Sequence, residues 1–274
     1  MTKQTALSIG IVGMGKMGEA IVQGLKNSGH GAEFPTLGTT KSRESADDVS
    51  ARVGIACGTD NLKLAEACDV LILCIKPHQV EKVLLEIAPK LAKKHLLISI
   101  AASITLKQLS EWSGGKCPVI RAMPNTPCLI GEGMTVFSAA ESVKPEQLEI
   151  ARQIFGTVGK TTVAEDSLMD GVTGLSGCGP AYIYLVIEAL SEAGVKVGLS
   201  RETSTLLAAQ TLVGAAKMVL ERGVHPAALK DEVTTPAGCT IDGLMALEEG
   251  KLRVTLIKAV LAATKRSKRL RASK

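Results

Sequence analysis

Residues 9–24 read IGIVGMGKMGEAIVQG, and no other stretch narrows the possible folds so sharply. An apolar run, Ile9, Ile11 and Val12, enters the glycine turn Gly13-Met14-Gly15-Lys16-Met17-Gly18. Met17, Ile21, Val22 and Leu25 then recur at helical spacing. The expected unit is strand, turn, helix. Gly13 permits the tight turn, Gly15 lets a pyrophosphate approach the backbone, and Gly18 lets helix and strand pack closely. The helix N-terminus offers N–H groups and partial positive charge to phosphates. A dinucleotide site at Gly13, Met14, Gly15, Lys16 and Met17 is expected.

The pattern continues as alternating strands and helices. Strands are expected over 8–12, 33–37, 70–74, 96–100, 119–123, 133–137 and 160–163. Helices are expected over 18–27, 42–51, 79–92 and 145–157. Repeated βα units with short apolar strands indicate a parallel, doubly wound sheet of the Rossmann type. Near Asp166 the strands stop. Helices are expected over 181–197, 201–222, 226–233, 241–249 and 252–270. The chain therefore divides into a dinucleotide-binding domain, 1–165, and an all-α domain, 166–274. Val186, Leu190 and Ala193 share a face, as do Leu206, Ala209, Gln210 and Val213. Their alanines and glycines allow close helix approach, and a helical domain this apolar is expected to share its faces with a second subunit.

Composition excludes several classes. Aromatic residues make up 2% of the 274, too few for the stacking platforms of single-strand nucleic-acid binders. The net charge of +5 lies largely in Lys265, Arg266, Lys268, Arg269, Arg271 and Lys274, read as a solvated helix end. The cysteines at 57, 68, 74, 117, 128, 178 and 239 are odd in number and form no CxxC, as expected of buried free thiols in a reducing compartment. His30, His78, His95 and His225 lack metal-ligand spacing and read as surface or loop residues. The N-terminus lacks a signal-peptide pattern. No apolar run reaches the roughly 18 residues needed to span a bilayer. The expectation is a cytoplasmic protein without membrane, nucleic-acid or metal partners.

The loops at the carboxyl ends of the strands carry the remaining cofactor candidates. NAD-binding units place a carboxylate about 20 residues beyond the glycines to hold the ribose 2′-OH. Here the corresponding stretch is Gly38-Thr39-Thr40-Lys41-Ser42-Arg43, and no carboxylate stands before Glu44. These side chains suit a 2′-phosphate, so NADPH is favoured, with NADH as the other donor. Spacing leaves open which of Thr39 to Arg43 makes the contact; Thr40, Ser42 and Arg43 are the chosen candidates. Lys76 and Pro77 follow one strand, Ala101 lies among small residues that leave room for a nicotinamide ring, and Asn125 sits between two prolines. In the second half, Thr234-Thr235-Pro236-Ala237-Gly238-Cys239-Thr240 joins two helices. Thr235 or Thr240 can cap the second helix, and the N–H groups of Gly238, Cys239 and Thr240 suit a carboxylate.

Together GMGKMG at 13–18, CIKP at 74–77, SIAAS at 99–103, RAMPNTP at 121–127, GLSGCGPAY at 174–182 and LKDEVTTPAGCTIDGL at 229–244 resemble pyrroline-5-carboxylate reductases over essentially the whole chain. The resemblance implies a Rossmann domain followed by interlocking helical domains. These form a homodimer core that can assemble further, often into decamers. It also implies reduction of 1-pyrroline-5-carboxylate to L-proline by NADPH or NADH, the last step of proline synthesis. The active site would combine one subunit's Rossmann domain with helical-domain residues that include its partner's. Thr240 matches the threonine facing the ring nitrogen, Gly238 and Cys239 the backbone positions holding the carboxylate, and Thr235 a nearby hydroxyl. Cys239 and Ala237 depart from the alanine and glycine frequent there.

Other readings are a reductase of a related cyclic imine and an oxidoreductase of the β-hydroxyacid dehydrogenase type. The latter needs a catalytic lysine, and Lys196, Lys217 and Lys230 all lie outside the small-residue loop. A non-catalytic redox sensor has no need of a carboxylate loop. A basic nucleic-acid binder would show salt-sensitive retention.

Overall fold

The computed structural model describes residues 6–272; Lys274 and the N-terminal segment read for a leader lie outside them. Eight strands form one sheet: β1 (Ile9–Val12), β2 (Thr36–Thr39), β3 (Ala56–Gly58), β4 (Val70–Leu73), β5 (Leu96–Ser99), β6 (Val119–Met123), β7 (Gly133–Ala139) and β8 (Gly159–Val163). Their order is β3-β2-β1-β4-β5-β6-β7-β8. The sheet is parallel, as expected, except at one place: β6 and β7 are antiparallel, with Ala122 opposite Phe137. A short 3₁₀ connection, Thr126–Ile130, joins them. Such a link lets the chain turn back without the long crossover that parallel strands require.

Helices α1 (Lys16–Asn27), α2 (Arg43–Val53), α3 (Asn61–Ala67), α4 (Pro77–Ile87), α5 (Leu106–Trp112) and α6 (Pro145–Gly156) connect the strands. Then come α7 (Met169–Val172), α8 (Gly179–Lys196), α9 (Arg201–Arg222), α10 (Pro226–Glu232), α11 (Cys239–Glu249) and α12 (Leu252–Ala272). Central strands β1, β4 and β5 are buried at every position. That is the reason they read as unbroken apolar runs. Two aliphatic clusters cover the faces. Ile21, Val22, Leu25, Ile154 and Phe155 lie on one, and Leu64, Val80, Leu84, Ile87 and Leu109 on the other.

Two compact units emerge. One holds residues through Gly177 together with those from Ala263 onward; the other is Cys178–Ala262. Strands end at Val163, near the boundary expected from sequence, but residues 166–177 pack with the sheet. Asp166 explains part of this. It pairs with Arg121 on β6 at 2.8 Å and accepts the Leu106 N–H at 3.4 Å. The Arg121 side chain is only 2% exposed.

The basic C-terminal run is not simply a solvated end, since Arg271 faces the fully buried Asp170. His95 is buried rather than superficial, its Nδ1 accepting the Ala92 N–H at 2.8 Å. All seven cysteines are free, but only Cys68, Cys117 and Cys128 are fully buried and Cys239 is exposed. Burial pushes the largely buried Cys74 thiol up to about 12. In the helical unit α9 is long and apolar enough to cross a membrane by length and composition. This departs from the sequence expectation. Its apolar positions are dispersed around the helix, so no single unbroken run announced them. Among them Leu206, Leu207, Val213 and Leu220 are exposed.

Removing one partner of a buried ion pair leaves an uncompensated charge. Asp166→Ala is therefore expected to destabilise the sheet unit by about 3 kcal/mol. Urea unfolding followed by Trp112 fluorescence checks this.

Candidate active site

The winding of the sheet reverses between β1 and β4. Ligands of open α/β sheets bind outside the carboxyl ends of strands at such a point. Gly13 lies there with φ +91°, a conformation that L side chains rarely adopt. A Cβ on it would stand 2.5 Å from Ile75 Cγ2 and 2.9 Å from the Cys74 carbonyl oxygen. A Cβ on Gly18 would approach Ile11 Cγ2 and the Gly13 oxygen at 3.1 Å, which accounts for the close packing of helix and strand. Around Gly15 the opposite holds: a Cβ would meet nothing within 4 Å. That open space fits a pyrophosphate.

The turn also sorts its donors. Gly13 and Met14 both donate to the Thr39 carbonyl at 3.0 Å, and Gly15 donates to Gly13 at 2.9 Å. Gly15 is the N-cap and has no side chain to cap α1. The N–H groups of Lys16, Met17 and Gly18 open the helix and have no acceptor within it. Of the five residues expected from the motif, Lys16 and Met17 are thus the backbone donors. Met14 is buried, its Cγ lying 2.5 Å from where a Cβ on Gly38 would be.

After β2, Thr40 donates its hydroxyl proton to the Ser42 carbonyl at 2.9 Å. Ser42 caps α2 by accepting the Ser45 N–H at 3.3 Å. Arg43 is exposed and pairs with Asp47 at 3.2 Å. Asn61 was not anticipated; its Oδ1 accepts the buried Thr39 hydroxyl at 2.8 Å and fixes the end of β2. Beyond β4, Lys76 is the exposed N-cap of α4 and Pro77 its first residue. Pro77 thus begins a helix two residues before the expected start. Ala101 is buried in the loop after β5, its N–H donating to Ser99 Oγ at 3.3 Å. The Asn125 amide is already engaged: Oδ1 accepts the Met134 N–H at 2.8 Å, and Nδ2 donates to the Ser176 carbonyl at 3.3 Å. Its side chain braces the β6–β7 connection. Gly13, Lys76, Ala101 and Asn125 all follow strands at the same carboxyl edge.

Within the helical unit, the loop before α11 differs from expectation in two respects. Gly238, and neither threonine, is the N-cap, with no side-chain capping bond. The Gly238 N–H also donates to the Thr235 carbonyl at 3.0 Å. The Cys239 and Thr240 N–H groups remain as donors at the start of the helix. Thr235 crosses close over Gly238, where a Cβ would lie 2.4 Å from Thr235 Oγ1. Ala237 reaches this turn with φ +57°. Among the described residues, no three His, Cys, Asp or Glu side chains cluster to hold a metal.

Residues 166–270 match the family model for pyrroline-5-carboxylate reductase dimerisation, and 8–103 match that for NADP oxidoreductase, coenzyme F420-dependent. A pyrroline-5-carboxylate reductase of Pisum sativum is 43% identical over 265 residues, 96% of each chain. The chain belongs to the pyrroline-5-carboxylate reductase family. A family member from Escherichia coli is 38% identical over 262 residues, covering 96% of this chain and 97% of its own. Among solved structures, the family member from Coxiella burnetii superposes with a TM-score of 0.90 at 36% identity, over 97% of this chain and 98% of that one. The Plasmodium falciparum pyrroline carboxylate reductase, solved with NADP bound, gives 0.85 at 34% identity, over 97% and 99%.

A substitution at Gly15 can test binding apart from folding. At φ −96° and with open space around it, Gly15→Val is expected to fold normally. It should weaken dinucleotide binding at least about tenfold, or 1.4 kcal/mol. Titrating reduced-nicotinamide fluorescence against thermal unfolding of the same variant tests both halves. Ala237→Gly, which removes a left-handed alanine, is expected to gain up to about 1 kcal/mol. Thermal unfolding reads that change.

Proposed function

We propose that the protein is an oxidoreductase acting on a CH–NH bond, reducing 1-pyrroline-5-carboxylate to L-proline with a nicotinamide dinucleotide. The observation that carries this reading is full-length membership of the reductase family at 43% identity, with both the glycine turn and the 235–240 loop present. Residues 1–165 serve the dinucleotide. Residues 166–274 serve the substrate and subunit association, as a homodimer core that can build a decamer.

The open turn at Gly15 and the uncapped start of α1 suit the pyrophosphate. Thr40, Ser42 and Arg43 suit a 2′-phosphate, which makes NADPH the preferred donor over NADH. Lys76 and Pro77 border the phosphates or ribose, Ala101 leaves room for the ring, and Asn125 stiffens the neighbouring loop. When bound, the reduced nicotinamide supplies a hydride. The Cys239 and Thr240 N–H groups hold the substrate carboxylate at the positive end of α11. Gly238 gives those donors their turn, and Thr235 supports it. The Thr240 hydroxyl bonds the ring nitrogen and orients the C=N carbon. Hydride added at that carbon gives the secondary amine, and a nitrogen protonated beforehand or by water needs no strong side-chain acid. Holding the reacting centres in register is then the main contribution of these residues. The protein works in the cytoplasm and needs no metal, membrane or nucleic-acid partner.

The test follows oxidation of NADPH and NADH with 1-pyrroline-5-carboxylate. Faster oxidation of NADPH is expected; a preference for NADH would overturn the role of the 39–43 stretch, and inactivity with both would overturn the reaction. Thr240→Ala should lower kcat about tenfold or more, equivalent to about 1.4 kcal/mol. Arg43→Glu should lower kcat/KM for NADPH at least about tenfold while leaving that for NADH within about twofold.

A further inference from the structure

Ser103 ends the loop after β5 with φ +60° and is nearly fully buried. Such a conformation is costly for a residue bearing a Cβ and persists where its surroundings enforce it. The neighbours of Ser103 come from far along the chain. Its hydroxyl donates to the Ser267 carbonyl at 3.4 Å and lies 3.5 Å from Ser267 Oγ. Ser267 is itself buried, and its hydroxyl donates to Asp170 Oδ1 at 2.6 Å. Asp170 is completely buried, and Arg271 Nη1 stands 3.0 Å from its Oδ2, an ion pair off-axis for a hydrogen bond. Four side chains from three separate segments thus form a chain of contacts ending on the strained serine. From the other direction, Asp166 accepts the Leu106 N–H as α5 begins, after Thr105 has capped that helix. Two carboxylates four residues apart therefore brace the 99–106 stretch.

We propose that the end of α12 is a strut which, through Ser267 and Arg271, fixes the loop from Ser99 to Ser103 for hydride transfer. Asp170, Ser267 and Arg271 are then positioning residues for the reductase reaction. The inference rests on the reading of this loop as the seat of the nicotinamide ring. None of the three touches the reacting atoms. A buried carboxylate must keep its cation and its hydroxyl donor. Losing either frees Ser267, and Ser103 loses the neighbour that holds it in the left-handed region.

The test compares Ser267→Ala, Ser267→Thr, Arg271→Gln and Ala101→Val with the unaltered enzyme, with kcat, KM for NADPH, KM for 1-pyrroline-5-carboxylate and thermal midpoint measured for each. Ser267→Ala and Arg271→Gln are expected to raise KM for NADPH at least about threefold and to lower kcat about fivefold. KM for the imine should stay within about twofold, and Ser267→Thr, which keeps the hydroxyl, should recover most of the loss. A merely structural role would lower the thermal midpoint without singling out NADPH. Ala101→Val tests the seat itself and should impair turnover. Impairment by Ala101→Val with wild-type kinetics in Ser267→Ala and Arg271→Gln would overturn the strut alone. Unchanged kinetics in Ala101→Val would overturn the seat, and the proposal with it. If Ser267→Ala does not fold, Arg271→Gln decides, since its guanidinium is one-third exposed.

Discussion

The reversal of sheet winding between β1 and β4 is the constraint on which the rest of the sheet unit depends. Right-handed crossovers on the two sides of that point leave toward opposite faces, which opens a crevice at the carboxyl ends of the strands. Filling the crevice with side chains would close it. The chain instead places Gly13 against the Cys74 carbonyl and leaves the space beside Gly15 empty. Hydrogen bonds from Gly13 and Met14 to Thr39 tie the turn to β2, so backbone contacts help to aim the start of α1.

Buried charge does comparable work behind the loops. Asp166 and Asp170 lie in a segment without strands, yet one reaches the side chain of β6 and the other that of α12. Asp170 is itself fully buried and Asp166 meets the buried Arg121, and each buried charge requires a specific partner. That requirement gives a short, irregular stretch a defined place beside the sheet.

Legibility in the sequence followed burial and length. Strands β1 and β4 were readable because every position is buried and the residues are almost all apolar; β5 and β6 keep that signal although Ser99 and Arg121 interrupt it. Strand β3 spans only Ala56–Gly58, and α3 and α5 have seven residues each, too short for a periodic signal. Strand β2 begins three residues later than expected, at Thr36. Pro35 has no N–H for the ladder, although its carbonyl accepts from Ile9. The reversed β7 could not be distinguished from a parallel strand, since alternation carries no direction. At the candidate site, residue types were legible and hydrogen-bond allegiances were not. The Gly238 N–H is consumed in a turn that Ala237 reaches left-handed, and the Asn125 amide is occupied by groups nine and fifty-one positions away. Ser267 and Arg271 looked like members of a solvated basic helix; a carboxylate about a hundred residues upstream gives them partners.

The sheet unit is discontinuous along the chain, and this bears on how it is made. A ribosome delivers every strand and Asp170 first, then the whole of Cys178–Ala262, and only afterwards Ser267 and Arg271. Until those residues emerge, the nascent sheet unit carries a carboxylate whose burial has no cation to match it, and Ser103 has no far neighbour. The helical unit is thus synthesised as an insertion inside an unfinished one. Completion of the loop after β5 is thereby timed to follow production of the whole helical unit.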